Sequence, residues 1–240
     1  MDALDFTGRA VLVTGGTRGL GAGIAAYFRA AGAQVVVCGR TAEDGTGSVR
    51  ADVRDPAQVD RLITATLERC GRLDVVVNNA GGAPPADAAT ASPRFHAKVV
   101  ELNLLGPLHV AQRANTVMQR SGGGAIVMVG SVSGVRPSPG TAAYGAAKAG
   151  LHHLAASLAV EWAPLVRLNS VIVGPALTEG SDVHFDAQAA ARTVPSGRLA
   201  TALDVARACA FLSSPLATQI TGASLTVHGG GEWPAFLRAG

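Results

Sequence analysis

A tyrosine and a lysine stand four residues apart in Tyr144-Gly-Ala-Ala-Lys148, in a chain that contains only two residues of each type. On an α-helix, residues i and i+4 lie on one face, so the ammonium group lies beside the phenol. A free phenol has a pKa of about 10, and a neighbouring cation favours the phenolate, which makes proton exchange feasible near neutral pH. Ser131 follows a predicted strand, at the end where α/β sheets bind ligands. These residues predict a proton-transfer site.

A glycine-rich turn, Thr14–Gly21, follows the first predicted strand and opens the first predicted helix. Glycines at such a turn let the backbone approach a pyrophosphate, whose charge is stabilised by free amides at the helix N-terminus. The spacing is G-x-x-x-G-x-G, and no Gly-Lys-Ser/Thr follows, which excludes a P-loop. The turn predicts a dinucleotide site, although an ordinary strand-to-helix turn is the alternative.

The second predicted strand ends in Cys38-Gly39-Arg40, where an enzyme that uses NAD(H) carries an acid for the ribose hydroxyls. A basic residue with no acid beside it suits a 2′-phosphate, and Arg18 in the glycine turn can reach the same group. We therefore expect NADP(H) rather than NAD(H). The alternative is that both arginines are solvated surface residues.

Short β-branched runs alternate with longer alanine-rich amphipathic stretches along the whole chain. Several runs are apolar at every position, which is typical of strands in a parallel sheet covered by helices on both faces. Strand–helix alternation predicts βαβ crossovers and a doubly wound sheet in one domain, residues 1–240. The predicted strands are Ala10–Thr14, Gln34–Cys38, Ser48–Ala51, Leu73–Asn78, Ala125–Gly130, Arg167–Val173 and Ala223–Val227.

Helix signals lie between these runs. Asp55-Pro56-Ala57-Gln58 offers an N-cap, a proline at the first helical position and a returning side chain at the third. Thr201-Ala-Leu-Asp204 is a capping box that opens a helix to Ser213, and the helix Tyr144–Ala163 ends before Pro164.

Composition excludes several classes of protein. The 240 residues are 48% hydrophobic and only 15% charged, which excludes a disordered chain. The net charge of +3 is small and evenly spread along the chain, so it does not indicate binding to nucleic acid or to a membrane. Three cysteines in apolar or helical contexts indicate reduced thiols, and no apolar run approaches a membrane span or a signal peptide. We expect a soluble cytoplasmic protein.

Five motifs in register resemble the short-chain dehydrogenase/reductase family, over about residues 9–230: Thr14–Gly21, Asn78-Asn79-Ala80-Gly81, Asn103, Ser131 and Tyr144 with Lys148. The resemblance implies a Rossmann fold with a seven-stranded parallel sheet in the order 3-2-1-4-5-6-7. It also implies a catalytic tetrad of Asn103, Ser131, Tyr144 and Lys148.

The resemblance also implies a role for each residue. Tyr144 exchanges a proton with the substrate oxygen, Ser131 hydrogen-bonds the same oxygen, and Asn103 holds a water. Lys148 binds the nicotinamide ribose and, together with an oxidised nicotinamide, lowers the pKa of the tyrosine. The implied cofactor contacts are Gly15, Thr17, Arg18, Gly19, Leu20, Gly21, Arg40, Asp52, Val53, Asn79, Ala80, Gly81, Tyr144, Lys148 and Thr178.

Three segments depart from the family pattern. The link from Arg40 to Asp52 is short and has room for at most a turn of helix, so we expect a more open adenine end. Val173-Gly174-Pro175 replaces the usual Pro-Gly on the path to Thr178. The substrate lid, about residues 175–200, is short and carries a polar cluster: Glu179, Asp182, His184, Phe185 and Asp186.

Other readings compete with an active dehydrogenase. Gly130-Ser131-Val-Ser133-Gly134 formally matches G-x-S-x-G, with Ser133 as nucleophile and Asp204 and His228 in the required order. A nucleophile elbow must run straight into a helix, and Pro137 and Pro139 argue against one. A catalytically silent NADP(H)-binding sensor or scaffold is a further alternative.

The adjacent His152 and His153 point apart on a helix and have no third ligand at suitable spacing, so we expect no metal.

The sequence thus predicts an NADP(H)-dependent oxidoreductase that interconverts a small-molecule ketone and a secondary alcohol. The resemblance suggests a 3-oxoacyl-thioester-reductase-like or general carbonyl reductase. It also suggests a homotetramer or homodimer, with the helices after Asn103 and around Tyr144 at one interface. The tail, residues 232–240, has apolar residues that we expect to pack at a subunit boundary or over a neighbour's active site.

Overall fold

The computed structural model describes residues 4–45, 47–178 and 187–232. Among these residues the strands are β1 (Ala10–Thr14), β2 (Gln34–Gly39), β3 (Ser48–Arg50), β4 (Val75–Asn78), β5 (Gly124–Ser131), β6 (Val166–Val173), β7 (Ala176–Leu177), β8 (Ala200–Thr201) and β9 (Ser224–Val227). Seven of them form one parallel sheet in the order β3-β2-β1-β4-β5-β6-β9. The predicted fold class and strand order are confirmed, with β9 as the seventh strand of the sheet.

Helices cover both faces of the sheet. Their bounds in the described ranges are α1 (Gly19–Ala30), α2 (Pro56–Cys70), α3 (Pro93–Val100), α4 (Gly106–Arg120), α5 (Ala142–Glu161), α6 (Ala187–Thr193) and α7 (Ala202–Ser213). Alternate strand residues point to opposite faces. One face packs against α2, α4 and α5 through Leu12, Val36, Val76, Ile126 and Leu168. The other packs against α1 and α7 through Val11, Val13, Val37, Val75 and Val127.

The buried cysteines lie in this core. Cys38 and Cys209 are unpaired, and burial raises the pKa of their thiols to about 11 and about 12. At neutral pH both therefore stay protonated.

Local capping fixes where two of the helices begin. The Thr201–Asp204 capping box forms as predicted at the start of α7. Asp55 caps α2 by accepting from the amides of Ala57 and Gln58. The predicted return from Gln58 to the Asp55 amide is wrong, because that amide already donates to the Asp52 carbonyl. Gln58 Oε1 instead accepts from the Asp52 amide at 3.0 Å.

A π-helical turn, Glu101–Leu105, joins α3 to α4. Such turns widen a helix by one residue and recur at functional sites. Asn103 lies inside this turn and is completely buried. The turn therefore directs the Asn103 amide side chain into the protein interior, next to helices whose other inward residues are apolar.

The remaining segments include those that the sequence predicts to form the substrate lid and the adenine end of the site. β7 and β8 form a separate parallel pair that the sequence pattern did not predict. The link between β2 and β3 contains turns and a single bridge between Gly45 and Ser48, with no helix among its described residues. The polar cluster of residues 179–186 and residues 233–240 of the tail lie outside the described residues. Within the described ranges no helix has the length and apolar character needed to cross a membrane.

Candidate active site

A cleft of about 540 Å³ opens at the carboxyl ends of the parallel strands. It lies where the strand order reverses between β1 and β4, which is the usual ligand position in an open α/β sheet. All of the residues predicted to contact a cofactor line it: Gly15, Thr17, Arg18, Gly19, Leu20, Gly21, Arg40, Asp52, Val53, Asn79, Ala80, Gly81, Tyr144, Lys148 and Thr178. Ser131 lines it as well. Residues from distant parts of the chain therefore meet at one site.

The glycine turn makes a close-packed corner at the start of α1. Gly15 has φ +63°, which favours glycine, and a Cβ on Gly21 would lie 2.2 Å from the Gly15 carbonyl oxygen. The N-cap residue Arg18 makes no side-chain capping bond, so its side chain satisfies none of the first amides of α1. Free amides at a helix N-terminus suit a phosphate.

Thr14, which the sequence argument did not single out, joins the first and fourth strands. Its hydroxyl accepts from the amides of Asn79 at 3.1 Å and Ala80 at 3.0 Å. Asn79 Nδ2 returns a bond to the Thr14 carbonyl oxygen at 3.0 Å. Its position as the last residue of a strand facing the cleft is the signal that could have identified it. The cleft lining also includes unpredicted glycines at or just beyond the carboxyl ends of strands, namely Gly39, Gly82, Gly130 and Gly174.

Two arginines at the predicted adenine end of the cleft have no salt-bridge partner among the described residues. Arg18 and Arg40 are exposed, and neither guanidinium makes a hydrogen bond or ion pair with the part of the chain that the structure describes. Asp52 is the one acidic residue among the described lining residues, and Arg54 binds its carboxylate through Nε at 3.0 Å and Nη2 at 2.6 Å. That bond is the main reason why the pKa of Asp52 is lowered. The unpaired positive charge at this end suits an anionic group.

Tyr144 and Lys148 lie on the first turns of α5 and face the cleft together. The Lys148 Nζ atom is 5.7 Å from the centre of the Tyr144 ring and donates to the Val129 carbonyl at 2.9 Å. Burial lowers the pKa of Lys148 to about 8. The predicted sharing of one helix face is present.

The pKa of Tyr144 differs from the expectation for the isolated motif. Burial raises it, and a hydrogen bond with the side chain of Ser131 opposes that rise. The lowering that we expect from Lys148 together with an oxidised nicotinamide stays a prediction. Among the groups of the protein alone, desolvation of the phenolate dominates, and the Lys148 ammonium group donates to the Val129 carbonyl. The phenol is therefore held in its protonated form.

Asn103 lies behind the cleft lining. Its Oδ1 accepts from the Gly82 amide at 2.8 Å, and its Nδ2 donates to the carbonyls of Gly82 at 3.0 Å and Val99 at 2.9 Å. A Cβ on Gly81 would lie 2.8 Å from Asn103 Oδ1 and 3.2 Å from Lys148 Nζ. Asn103 thus holds the loop after β4 directly beside the lysine.

The geometry around Ser133 does not form a nucleophile elbow. Ser133 lies in a short 3₁₀ turn, Val132–Gly134, and the next α-helix begins only at Ala142. Its hydroxyl is 3.0 Å from that of Ser138, and Asp204 is bound by Arg198.

Thr178 lies beside the glycine turn, with its side chain 3.8 Å from where a Cβ on Gly19 would stand. The unusual Val173–Pro175 path still brings this threonine to the cleft.

Comparisons with known proteins agree with this arrangement. A family model described as enoyl-(acyl carrier protein) reductase matches residues 15–232. The 3-oxoacyl-[acyl-carrier-protein] reductase MabA of Mycobacterium tuberculosis is 38% identical over 232 residues, 94% of this chain and 93% of that protein. The 3beta-hydroxysteroid dehydrogenase 1 of Eggerthella lenta is 34% identical and covers 94% of each chain.

A solved structure extends the likeness to three dimensions. The 7 alpha-hydroxysteroid dehydrogenase complexed with NADH and 7-oxo glycochenodeoxycholic acid has a TM-score of 0.91 and 28% identity, over 97% of this chain and 98% of that one. The chain belongs to the short-chain dehydrogenase/reductase family. It is accordingly an oxidoreductase of the class that uses NAD(H) or NADP(H) on ketones and alcohols.

Proposed function

We propose that this protein interconverts a ketone and a secondary alcohol with NADP(H), and that Tyr144 is the proton donor and acceptor. The observation that carries the proposal is the position of Tyr144, Ser131 and Lys148 in one cleft with the glycine turn. Proton exchange and dinucleotide binding need the same space in such a reaction. A sensor that only binds the cofactor would not need a buried lysine beside a half-buried phenol.

The residues of the cleft fit a dinucleotide. The corner between Gly15 and Gly21 has no room for a side chain, and the start of α1 lacks a side-chain cap. These features suit a pyrophosphate. Arg18 and Arg40 would hold a 2′-phosphate, because both are unpaired in the described part of the chain. Asp52 and Val53 would contact the adenine, and Thr178 the carboxamide.

The bound cofactor supplies or accepts the hydride. During reduction Tyr144 donates its phenolic proton to the substrate oxygen, and burial favours the protonated phenol that this step needs. Ser131 donates a hydrogen bond to the same oxygen and stabilises the developing negative charge. Lys148 would hold the nicotinamide ribose, and Asn103 would support the water that links this lysine to solvent. During oxidation the proton moves in the opposite direction.

The names of the relatives indicate which carbonyls to test first. MabA is named for 3-oxoacyl groups on a carrier protein, and the Eggerthella lenta enzyme for a hydroxysteroid. A 3-oxoacyl group carries a ketone on an acyl chain, and a hydroxysteroid carries the corresponding secondary alcohol on an apolar ring system. We propose a substrate of this kind, with 3-oxoacyl thioesters as the first candidates.

We also propose that the protein is a homotetramer or homodimer. Leu105, immediately before α4, is 39% exposed, and Val160 near the end of α5 is 80% exposed. Large apolar side chains on neighbouring helices are a common feature of subunit interfaces. Sedimentation of the purified protein tests the assembly, and a monomer at micromolar concentration would contradict it.

A screen of ketones and alcohols tests the function. Purified protein is mixed with NADPH and 3-oxoacyl thioesters, oxosteroids or simple ketones, and the absorbance of the reduced nicotinamide is followed. We expect consumption of NADPH with at least one class. Tight NADPH binding without turnover of any carbonyl would favour the silent sensor instead.

A further inference from the structure

The imidazole of His152 lies against the strand end that carries Ser131. His152 follows Lys148 by one turn of α5, and its Nε2 is 3.4 Å from the amide nitrogen of Ser131, which donates to it. Its Nδ1 is buried and has no partner among the described residues. This histidine belongs neither to the tetrad nor to the cleft lining.

Gly130, immediately before Ser131, makes room for the ring. A Cβ on Gly130 would lie 2.1 Å from His152 Nε2, a contact too short for real atoms. Gly134 makes room for the helix itself, since a Cβ there would lie 2.7 Å from the Ala149 amide nitrogen and 2.9 Å from His152 Cε1. The imidazole therefore fills a slot in the backbone around Ser131.

The helix holds the end of β5 at two successive points. Lys148 Nζ donates to the carbonyl of Val129, and His152 Nε2 accepts from the amide of Ser131. The Ser131 hydroxyl then accepts from the amide of Ser133 at 3.2 Å, which begins the turn that follows the strand. One bond from α5 therefore holds Val129, two residues before Ser131, and the other holds the backbone of Ser131 itself, whose hydroxyl faces Tyr144.

The charge state of His152 agrees with an accepting nitrogen. Burial lowers its pKa, and the charge of Lys148 lowers it further, so the ring is neutral at physiological pH. A neutral imidazole has one donor and one acceptor nitrogen. Acceptance at Nε2 places the proton on Nδ1.

We propose that His152 is a positioning residue for Ser131, and that its Nε2 fixes the backbone from which the serine hydroxyl reaches Tyr144 and the substrate oxygen. The proposal rests on the proposed function and adds to it a residue that acts through the serine. It requires a neutral ring with its proton on Nδ1 and a free electron pair on Nε2.

Substitutions at residue 152 separate the hydrogen bond from the filling of the slot. The Gln Oε1 atom stands the same number of bonds from Cα as the His Nε2 atom, so His152→Gln keeps an acceptor at matching reach. His152→Leu fills the slot without one, and His153→Leu on the exposed side of the same helix is the matched control. All variants are compared by kcat, KM and NADPH affinity.

For His152→Leu we expect kcat to fall about tenfold or more, as small displacements of catalytic groups do, with NADPH affinity within about twofold of the parent. His152→Gln should restore kcat to within about threefold of the parent, and His153→Leu should not change it. Equal kcat in the Leu variant and the parent, or equal losses for Leu and Gln, would overturn the proposal while the proposed function stands.

An NMR measurement on the parent protein is independent of turnover. Two-bond ¹H–¹⁵N spectra of histidine-labelled protein report which ring nitrogen carries the proton, and His152→Gln assigns the signals among the six histidines. We expect a proton on Nδ1 only. A proton on Nε2 would exclude the contact with Ser131, whether or not the protein reduces any ketone.

Discussion

At the scale of the single residue, burial of the Lys148 ammonium group lowers the stability of the fold. The residue is 3% exposed, and in the described structure its ammonium group has one hydrogen bond, to the Val129 carbonyl. A buried charge without a charged partner destabilises a fold, which is why the pKa falls from 10.5 to about 8. A shift of this size corresponds to about 3 kcal/mol at pH 7. The charge on Lys148 therefore lowers the stability of the fold at neutral pH.

We expect Lys148→Met to abolish turnover and to raise the free energy of unfolding by about 2 kcal/mol at pH 7. The gain is smaller than the desolvation cost because the Val129 carbonyl loses its donor, which costs about 1 kcal/mol. Urea denaturation measures it. Lys98→Met on the exposed face of α3 is the control.

The stability gain from Lys148→Met should depend on pH. The pKa of the folded lysine is below that of the unfolded chain, so the unfolded parent binds more protons between about pH 8 and 10.5 and the parent becomes more stable as pH rises there. The advantage of the variant is therefore full below pH 8 and shrinks as pH rises. Near pH 10.5 only the lost hydrogen bond to Val129 remains, which leaves the variant about 1 kcal/mol less stable than the parent. A difference that does not change over this window would contradict the account.

Residue types, their spacing and the family resemblance together predict many of the side chains that meet in the cleft. The spacing of Tyr144 and Lys148 places them on one helix face, and Ser131 follows from its strand end. The direction of the Tyr144 pKa was not accessible, because it depends on burial and on where the Lys148 ammonium points. Both are properties of the packed structure.

At the scale of the elements, the corner between β1 and α1 depends on the absence of side chains. We expect Gly21→Ala to push α1 away from Gly15 and to lower NADPH affinity at least about tenfold, because the backbone amides lose their alignment. Titration of the intrinsic fluorescence of NADPH measures this affinity. Ala26→Ser, at an exposed position of the same helix, should bind NADPH as the parent does.

The cap of α7 gives an element-scale prediction that leaves the site alone. Thr201→Ala removes the acceptor for the Asp204 amide and should cost about 1 kcal/mol in the free energy of unfolding. NADPH affinity should stay unchanged, because Thr201 does not line the cleft. Thr218→Ala, at an exposed position, is the control for loss of a threonine hydroxyl. Equal stability of Thr201→Ala and the parent would contradict the role of the cap.

The long elements were predictable, while the short irregular ones were not. Buried strands and capped helices carry repeating apolar patterns, so their bounds agree within two residues for β1, β2 and α5. The pair β7–β8 has only two residues per strand, which is too short for any period. The π-helical turn at Asn103 shows no local signal, because it depends on the side chain bonding to Gly82 across the fold.

At the scale of the whole molecule, the cofactor should bind only the folded protein and therefore stabilise it. NADPH at a hundred times its dissociation constant adds about 2.7 kcal/mol, which corresponds to about 5–10 °C in Tm for a chain of this size. NADH at the same concentration should give a clearly smaller rise. Arg40→Ala should remove most of the difference between the two cofactors.

Arg94→Ala, on the exposed N-terminal turn of α3, controls for the loss of a positive charge in that experiment. Equal shifts of Tm with NADH and NADPH in the parent would contradict the proposed 2′-phosphate site. The shift of Tm that NADPH produces in Arg18→Ala shows whether Arg18 also contacts the 2′-phosphate.

The most direct measurement is single-turnover and steady-state reduction of a ketone identified by the screen, in Tyr144→Phe. The variant keeps the ring but cannot donate a proton, so we predict that kcat falls by about a hundredfold to ten-thousandfold with NADPH affinity within about twofold of the parent. Tyr27→Phe, at the other tyrosine of the chain, should retain full turnover. A Tyr144→Phe variant that turns over at the parental rate would contradict the account.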